Sequence, residues 1–234
     1  AFKDIQVLDE FNRNNTRTQS AALQPLGENK ITIGNETFDV APFAIITTNP
    51  VEQEGTFPLS EAFLDRIMFQ IRGQEFDAKT YAEILERTRN YDESQLRQVC
   101  TIGQVHEGRR FFHKTIHVSD EVAWRIGRFA EQANAPHSFG LLKDLQERVG
   151  RPLIKFALSG RGAVHLEGAA RTLAAFRYRN FVTPDDVLKV LLAVMRHRVI
   201  FDTGVLKPLQ TELGHRDTLD TVDYVLLRLI KEAW

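Results

Sequence analysis

Three polar side chains in the first fifty residues are of types that could carry out a reaction together. Asp9 and Glu10 directly follow the short apolar run Ile5–Leu8, and Asn49 follows a second apolar run, residues 41–48. Two carboxylates at the end of a strand can hold a hydrated Mg²⁺ ion and polarise a water molecule, the two tasks of phosphoryl transfer. Acidic residues also follow strands without any catalytic role, so the pair alone leaves both interpretations open.

Two predicted strands would position these side chains. Residues 41–48 are apolar and β-branched without clean alternation, which is typical of a strand buried on both faces. Asn49, restricted by the following Pro50, marks the carboxyl end of this strand, where open α/β sheets bind their ligands. A loop rich in Glu, Gln, Gly and Pro then leads to a helical segment that ends at Asp65 and Arg66. On its own, this order is only a hint of a nucleotide site.

The remaining pattern divides the chain into a mixed first part and a helical second part. Residues 16–23 predict a helix that Pro25 and Gly27 end or kink. Residues 30–40 alternate on both sides of a Gly-Asn pair and predict a hairpin, and residues 67–71 predict another buried strand. Helical periodicity and capping residues then predict helices that begin near Asp77, Ser119, Leu141, Gly162, Thr183 and Thr218.

Composition restricts the possible partners. The 234 residues carry a net charge of −1, so there is no bulk attraction to nucleic acid or to an anionic membrane. The single cysteine, Cys100, excludes an internal disulfide framework and fits a reducing cytoplasm, where we expect the protein to act. No apolar run could span a bilayer. His106, His113 and His117 lie near Cys100 but match no zinc-ligand spacing, and we expect a solvated or loop role for them.

Other conspicuous side chains are interpreted as structural. Several arginines in the second half could form a phosphate or nucleic-acid patch. In a chain of balanced charge we expect them instead on solvated faces or at subunit contacts. These arginines are Arg171, Arg177, Arg179, Arg196 and Arg198. Trp124 and Trp234 are expected to be packing residues.

Taken together, these motifs resemble the MoxR family of AAA+ ATPases. The most specific segment is residues 48–59, Thr-Asn-Pro-Val-Glu-Gln-Glu-Gly-Thr-Phe-Pro-Leu, and similar segments follow one another in the family's order over nearly the whole chain. They lie at residues 7–13, 18–20, 61–66, 159–161, 182–187 and 196–198. The resemblance implies an α/β partial AAA+ core, a parallel sheet with a presensor β-hairpin, followed by an all-α lid domain. It places the core at residues 1–91 and the lid at residues 92–234.

The resemblance also implies a role for each candidate residue, with ATP and Mg²⁺ as the ligands. Asp9 resembles the Walker B acid that binds nucleotide through Mg²⁺, and Glu10 the base that activates the attacking water. Asn49 resembles sensor 1, which helps to place that water. Arg66 resembles the arginine finger delivered into a neighbouring subunit, and Arg161 resembles sensor 2, reaching from the lid toward the γ-phosphate. A metal holder, a base, a water positioner and two cations form a coherent set for phosphoryl transfer.

The chain departs from the family pattern at several positions that carry no catalytic charge. Phe11 replaces the usual isoleucine, and Phe63 stands where glutamine is common. Pro25 and Gly27 interrupt a helix that is normally continuous. Gly160 replaces a proline beside the sensor arginine and is expected to loosen its placement.

One family motif is absent from these residues. No G-x-x-x-x-G-K-[ST] loop occurs, and that loop supplies most phosphate contacts in such enzymes. In the family it precedes the Walker B strand. Because the chain starts at Ala1, inside a strand-like run and without an initiator Met, we expect the loop upstream and expect these residues alone to be inactive.

Three functions are compatible with the pattern. The resemblance implies a ring ATPase, expected to be a hexamer, that remodels or matures protein complexes as a chaperone, often with a von Willebrand factor A-domain partner. A nucleic-acid motor is the second possibility, but its hairpin would carry cations at the tip, where this chain has Gly34, Asn35 and Glu36. The third, a non-catalytic interaction module, predicts a broken acid pair or a missing finger, and neither is seen.

Overall fold

A computed structural model of the chain describes residues 5–40, 43–49, 55–73, 76–92, 96–215 and 217–234. The first part contains β1 (Ile5–Leu8), α1 (Thr16–Ala21), α2 (Leu23–Glu28), β2 (Lys30–Ile33), β3 (Glu36–Asp39), β4 (Phe43–Ile46) and α3 (Glu61–Leu64). The second contains α4 (Ala78–Arg89), α5 (Ile102–Thr115), α6 (Asp120–Asn134), α7 (Lys143–Val149), β5 (Ile154–Phe156), α8 (Gly160–Phe176), α9 (Pro184–Met195), β6 (Ile200–Phe201), α10 (Thr203–Leu213) and α11 (Thr218–Ala233). This is a small parallel sheet with a hairpin, followed by a mostly helical part, as the sequence predicts.

The strands β1 and β4 pair in parallel, with Ile5 opposite Phe43 and Leu8 opposite Ile46. Their carboxyl ends therefore meet at one edge, which is the edge that carries the candidate site. The prediction that β4 is buried on both faces is wrong for the described residues, because Phe43 is 66% exposed and Ile45 is 45% exposed. Within the described chain β1 is the only strand that pairs with β4. The face of the sheet that carries Phe43 and Ile45 is exposed.

The predicted hairpin is confirmed, and the predicted helix before it is corrected. Strands β2 and β3 pair antiparallel around Gly34, whose φ of +63° suits the first position of the turn. The helical segment breaks at Ala22, between α1 and α2, and not at Pro25 or Gly27. Pro25 is the third residue of α2, where its missing N–H costs no intrahelical hydrogen bond.

The connector, residues 65–72, contains no strand, so the predicted strand at residues 67–71 is wrong. Its backbone is hydrogen-bonded by the helical part instead of by a neighbouring strand. Gln70 N donates to Ala193 O at 2.9 Å, and Arg196 Nη1 donates to Gln70 O at 2.9 Å. Arg198 Nη2 donates to the carbonyl of Ile67. At the far end Arg72 pairs with Asp217 at 3.0 Å and with Asp220 at 2.7 Å, so the helical part is bonded to the connector at several points between Ile67 and Arg72.

Capped, amphipathic helices build one apolar core. The side chains of Asp77, Ser119 and Thr183 accept from backbone N–H groups at the starts of α4, α6 and α9, as predicted. The core is formed by buried aliphatic and aromatic side chains of α6, α8, α9 and α11, among them Ile126, Phe129, Leu166, Leu191, Leu226 and Leu229. Burial of each such side chain contributes roughly 1.5–3 kcal/mol. None of the described helices combines the length and apolarity that crossing a bilayer requires.

Several elements of the helical part are absent from the sequence prediction. Helix α5 carries His106 and His113, for which a solvated or loop role was expected; both are helical and not in loops, His113 is exposed as a solvated role requires, and α5 has no buried residue. The β5/β6 pair and α10, which contains Pro208, also form without a clear local signal. Trp124 is 60% exposed with Arg128 over its ring, which contradicts a packing role. Trp234 does pack, edge-on against Phe129 at 6.0 Å.

The arginines of the second half are paired within the chain, which corrects the expectation that they lie unpaired on solvated faces, while subunit contacts stay a prediction. Arg177 and Arg179 both bond to the carboxylate of Asp186, which is fully buried. Arg196 forms a two-pronged pair with Asp223. Arg171 bonds to Glu167 and two carbonyls. These guanidinium groups serve the fold, and they do not form an open basic surface.

His197 makes the free energy of unfolding depend on pH. Burial, together with the charge of Arg198, lowers the pKa of this imidazole from 6.5 to about 4. The unfolded chain then binds more protons between these values, so the stabilising contribution of neutral His197 is present above pH 6.5 and is lost as the pH falls toward 4. We expect His197 to make the free energy of unfolding, measured with urea, up to about 2 kcal/mol smaller at pH 5 than at pH 7. A His197→Gln variant should show a smaller pH dependence, and an unchanged one would contradict this assignment.

Candidate functional site

The candidate site is built by the turn that follows β1. Glu10 has φ +46°, an uncommon left-handed conformation for a residue with a side chain, and a 3₁₀ turn, Phe11–Arg13, begins directly after it. The backbone of Phe11 donates to Thr47 O at 2.9 Å, which ties the turn to the residue after β4. Strain of this kind is often found at functional positions, where surrounding contacts hold it in place.

Contacts from both sides orient the carboxylate of Glu10. Asn49 Nδ2 donates to Glu10 Oε1 at 2.8 Å, and Arg13 Nε lies 2.9 Å from Glu10 Oε2. Each carboxylate oxygen has two acceptor positions, so each can still accept one further hydrogen bond. Glu10 and Asn49 are thus brought together from positions 39 residues apart, and the carboxylate retains the capacity to accept from a water molecule.

Asn12 holds the residue that contacts Glu10, a role that the sequence analysis missed. Its Nδ2 donates to Asn49 O at 2.9 Å, and Asn49 N donates to its Oδ1 at 3.1 Å. The Asn12 side chain is buried, and its backbone carbonyl accepts from Phe57 N at 2.7 Å. Asn12 therefore fixes both the backbone of Asn49 and the start of the segment after residues 51–54, which lie outside the described chain. The only sequence signal for it was its place within the motif at residues 7–13.

Two departures from the family pattern contact each other. The rings of Phe11 and Phe63 are stacked with centroids 5.0 Å apart and planes 21° apart, and both side chains are buried. Phe63 belongs to α3, so this stack joins the turn with the acidic residues to the helix that precedes Arg66. A stacked aromatic pair contributes about 0.5–1.5 kcal/mol beyond its buried area.

Arg66 lies apart from the acidic residues. Its Nη1 donates to Ala62 O at 2.6 Å, in the last turn of α3. The same side chain lies over Gly27 of α2, where a Cβ would come within 2.2 Å of Arg66 Nε. Among the described residues no hydrogen bond joins Arg66 to Asp9, Glu10 or Asn49.

Arg161 pairs with Asp65 of the connector, and no hydrogen bond joins it to Asp9, Glu10 or Asn49 among the described residues. Its Nη1 donates to Asp65 Oδ2 at 2.7 Å, and Ser159, the N-cap of α8, donates to Asp65 Oδ1. Arg198 adds a charge 3.5 Å from the same oxygen. Burial alone would raise the pKa of the Asp65 carboxyl, but the bonds from Ser159 and Arg161 outweigh it, so the pKa lies below its usual value. Gly160, expected to loosen Arg161, is the first residue of α8 beside this cluster.

The residues present fit a magnesium ion bound with nucleotide. Mg²⁺ usually takes one or two carboxylates and completes its coordination with water and phosphate oxygens. Asp9 is an exposed carboxylate at the sheet edge, and Oδ2 has no hydrogen-bond partner in the described part of the chain. No cluster of three or more metal-ligating side chains occurs in that part, and a nucleotide-linked Mg²⁺ site needs none. The roles of Asp9, Glu10, Asn49, Arg66 and Arg161 remain predictions.

Comparison with known proteins agrees with this architecture. Residues 1–69 match the family model of the ATPase family associated with various cellular activities (AAA), and residues 146–216 match that of the AAA lid domain. Chaperone MoxR1 of Mycobacterium tuberculosis is 32% identical over 202 residues, which cover 86% of this chain and 52% of the relative. Protein MoxR of Methylorubrum extorquens is 26% identical over 219 residues, covering 86% of this chain and 60% of the relative.

A solved structure gives the same result for the fold. The crystal structure of a candidate ATPase from Cytophaga hutchinsonii superposes with a TM-score of 0.78 at 29% identity, covering 96% of this chain and 65% of that one. The chain spans about half the length of the curated relatives it matches, 52% and 60% for the two above. With both family models in the expected order, the chain belongs to the MoxR family of AAA+ ATPases.

Proposed function

We propose that these residues form the hydrolytic edge of an ATPase that remodels other proteins. The observation that supports this most is the hydrogen-bonded contact between Glu10 and Asn49, beside Asp9, at the shared edge of two parallel strands. Matches to proteins named chaperone or MoxR support the chaperone-like class. The phosphate-binding loop would come from a part of the protein outside these residues, and the core and lid would divide near residues 91 and 92.

In the proposed reaction Glu10 accepts a proton from water as the water oxygen attacks the γ-phosphorus of ATP. The bond between that phosphorus and the bridging oxygen breaks, and ADP leaves. Asp9 would hold Mg²⁺, which when bound neutralises negative charge on the phosphates. Asn49 orients the base and the water, while Arg161 and a neighbour's Arg66 would offset charge that develops on the transferred group.

The proposed assembly is a ring, with a hexamer as the expected size and a von Willebrand factor A-domain protein as a possible type of partner. Arg66 supports a ring, because it has no bond to the acidic residues of its own chain in the described part. A head-to-tail contact that delivers one subunit's arginine to the next closes naturally into a ring. A nucleic-acid motor has no supporting observation, since the exposed tip of the β2–β3 hairpin carries no cation.

Asp9→Asn tests the proposed metal role in the protein that supplies the phosphate-binding loop. The amide is a weaker ligand for a hard cation, so we expect the Mg²⁺ concentration needed for nucleotide binding to rise by at least about tenfold. A titration of a fluorescent ATP analogue at graded Mg²⁺ concentrations measures this. Asp39→Asn, which removes an exposed carboxylate in β3, is the matched control. An Asp9→Asn protein with the Mg²⁺ dependence of the wild type would refute the role of Asp9, and a wild type that neither binds nor hydrolyses ATP would refute the function.

A further inference from the structure

Thr47 bonds to four consecutive residues, from Leu8 at the end of β1 to Phe11 in the turn that follows the acidic pair. It lies directly after β4, where its backbone N donates to Leu8 O at 3.1 Å and its carbonyl accepts from Phe11 N at 2.9 Å. Its hydroxyl accepts from Glu10 N at 2.8 Å and donates to Asp9 Oδ1. The first two bonds use the backbone and are open to any residue except proline. The last two require a hydroxyl.

The hydroxyl bonds act on the two groups that the proposed reaction uses. The bond to Asp9 Oδ1 uses one acceptor position of the carboxylate and restrains its rotation, and Oδ2 has no hydrogen-bond partner in the described part of the chain. The bond from Glu10 N satisfies the amide of a residue held in a left-handed conformation, from which its side chain reaches Asn49. A group that hydrogen-bonds to a metal ligand fixes the orientation of that ligand, and its loss typically lowers metal affinity by about 10- to 100-fold.

We propose that the Thr47 hydroxyl is a positioning group that orients Asp9 toward the Mg²⁺ of bound ATP and holds Glu10 toward Asn49. This inference rests on the proposed function. It assigns to Thr47 a role in the order of the site and none in the chemical step, since Thr47 contacts the acidic residues and no reacting atom. Its neighbour Thr48 is also exposed, yet no hydroxyl bond from Thr48 to the acidic pair is seen in the described chain.

The test is a set of matched variants in the protein that supplies the phosphate-binding loop. Thr47→Val keeps the shape and both backbone bonds but removes the hydroxyl, and Thr47→Ser restores it. We expect Thr47→Val to raise the Mg²⁺ concentration for half-maximal binding of a fluorescent ATP analogue by about 10- to 100-fold. Thr47→Ser and the control Thr48→Val should stay within about threefold of the wild type, a change worth less than about 1 kcal/mol.

Combination with Asp9→Asn makes the test specific. If Thr47 acts through Asp9, Thr47→Val should add little further loss once Asp9 is replaced, because the group it orients is gone. Full additivity, or an unchanged Mg²⁺ dependence in a Thr47→Val protein, overturns the inference while leaving the proposed function standing. A lower melting temperature without any change in Mg²⁺ dependence also overturns it, because that is the signature of a purely structural role. A wild type without Mg²⁺-dependent nucleotide binding overturns both.

A second variant without the hydroxyl, Thr47→Ala, shows whether any effect of Thr47→Val comes from a folding defect that valine alone causes. Thr47 is exposed, so the Glu10 amide can bond to water when the hydroxyl is lost, and the fold is expected to survive. Thr47→Ala should therefore reproduce the Mg²⁺ effect of Thr47→Val. Opposite behaviour of the two hydroxyl-free variants would show that side-chain shape is responsible, and would contradict the proposed role of the hydroxyl.

Discussion

A Glu10→Gln variant is expected to bind ATP in the presence of Mg²⁺ and to hydrolyse it roughly 10²- to 10⁴-fold more slowly than the wild type. The amide cannot accept a proton from the attacking water. Its carbonyl oxygen can still accept from Asn49 Nδ2, so the arrangement of the turn should persist. The lost ion pair with Arg13 is about half exposed on both sides and contributes little to folding.

Two measurements on the same preparation test this expectation. Phosphate release should fall, while titration with a fluorescent ATP analogue should give nearly the wild-type affinity. Glu36→Gln makes the same chemical change at an exposed position beside the hairpin turn and should hydrolyse normally. Near wild-type turnover by the Glu10→Gln protein would show that another group is the base.

Arg66→Ala should lower hydrolysis by about a thousandfold or more and leave nucleotide binding nearly intact. In the described chain Arg66 bonds to Ala62 and lies over Gly27, away from the acidic residues. A direct contribution to its own site would need a rearrangement of this side chain. Delivery to a neighbouring subunit requires that the guanidinium leave the Ala62 carbonyl and that the side chain move off Gly27.

Mixing two inactive proteins separates these possibilities. When Arg66→Ala and Glu10→Gln subunits exchange, some interfaces pair an intact Glu10 with an intact Arg66 from the neighbour, and these should regain activity. Arg17→Ala, at an exposed position in α1, is the control for loss of a surface cation. If subunits are shown to exchange and hydrolysis is still not recovered, Arg66 either acts within its own chain or has no role in hydrolysis.

Local signals in the sequence predicted those parts of the fold that depend on neighbouring residues. Side-chain caps at Asp77, Ser119 and Thr183 satisfy N–H groups three residues away, so the helix starts could be predicted directly. The hairpin turn at Gly34 is equally local. The location of the candidate site at one edge of the sheet could also be predicted, because the carboxyl ends of two parallel strands lie at the same edge.

Distant partners account for the main errors. Residues 67–71 look like a buried strand, yet Arg196 and Arg198, about 130 residues away, supply their hydrogen bonds. Phe11 and Phe63 appeared as two unrelated departures, and only their stacking shows that they belong together. Side-chain identity could suggest that Asp9 and Glu10 do chemistry. It could not show that Thr47 and Asn12 hold them and their partner in place.

The hydrogen bonds and ion pairs between the helical part and the connector have a mechanical consequence. Arg72, Gln70 and Ile67 are all bonded to the helical part, and Met68 packs against its core. The connector should therefore move with the lid as one rigid body, although it precedes the boundary that the sequence indicates. Arg66 lies at the start of the connector, where its backbone N bonds to Phe63 O of α3 and its side chain lies over Gly27 of α2, while the next residue, Ile67, bonds to Arg198. We therefore expect a rotation of the lid to change the contacts of Arg66 with α2 and α3, and the reach of Arg66 toward a neighbour to depend on lid orientation.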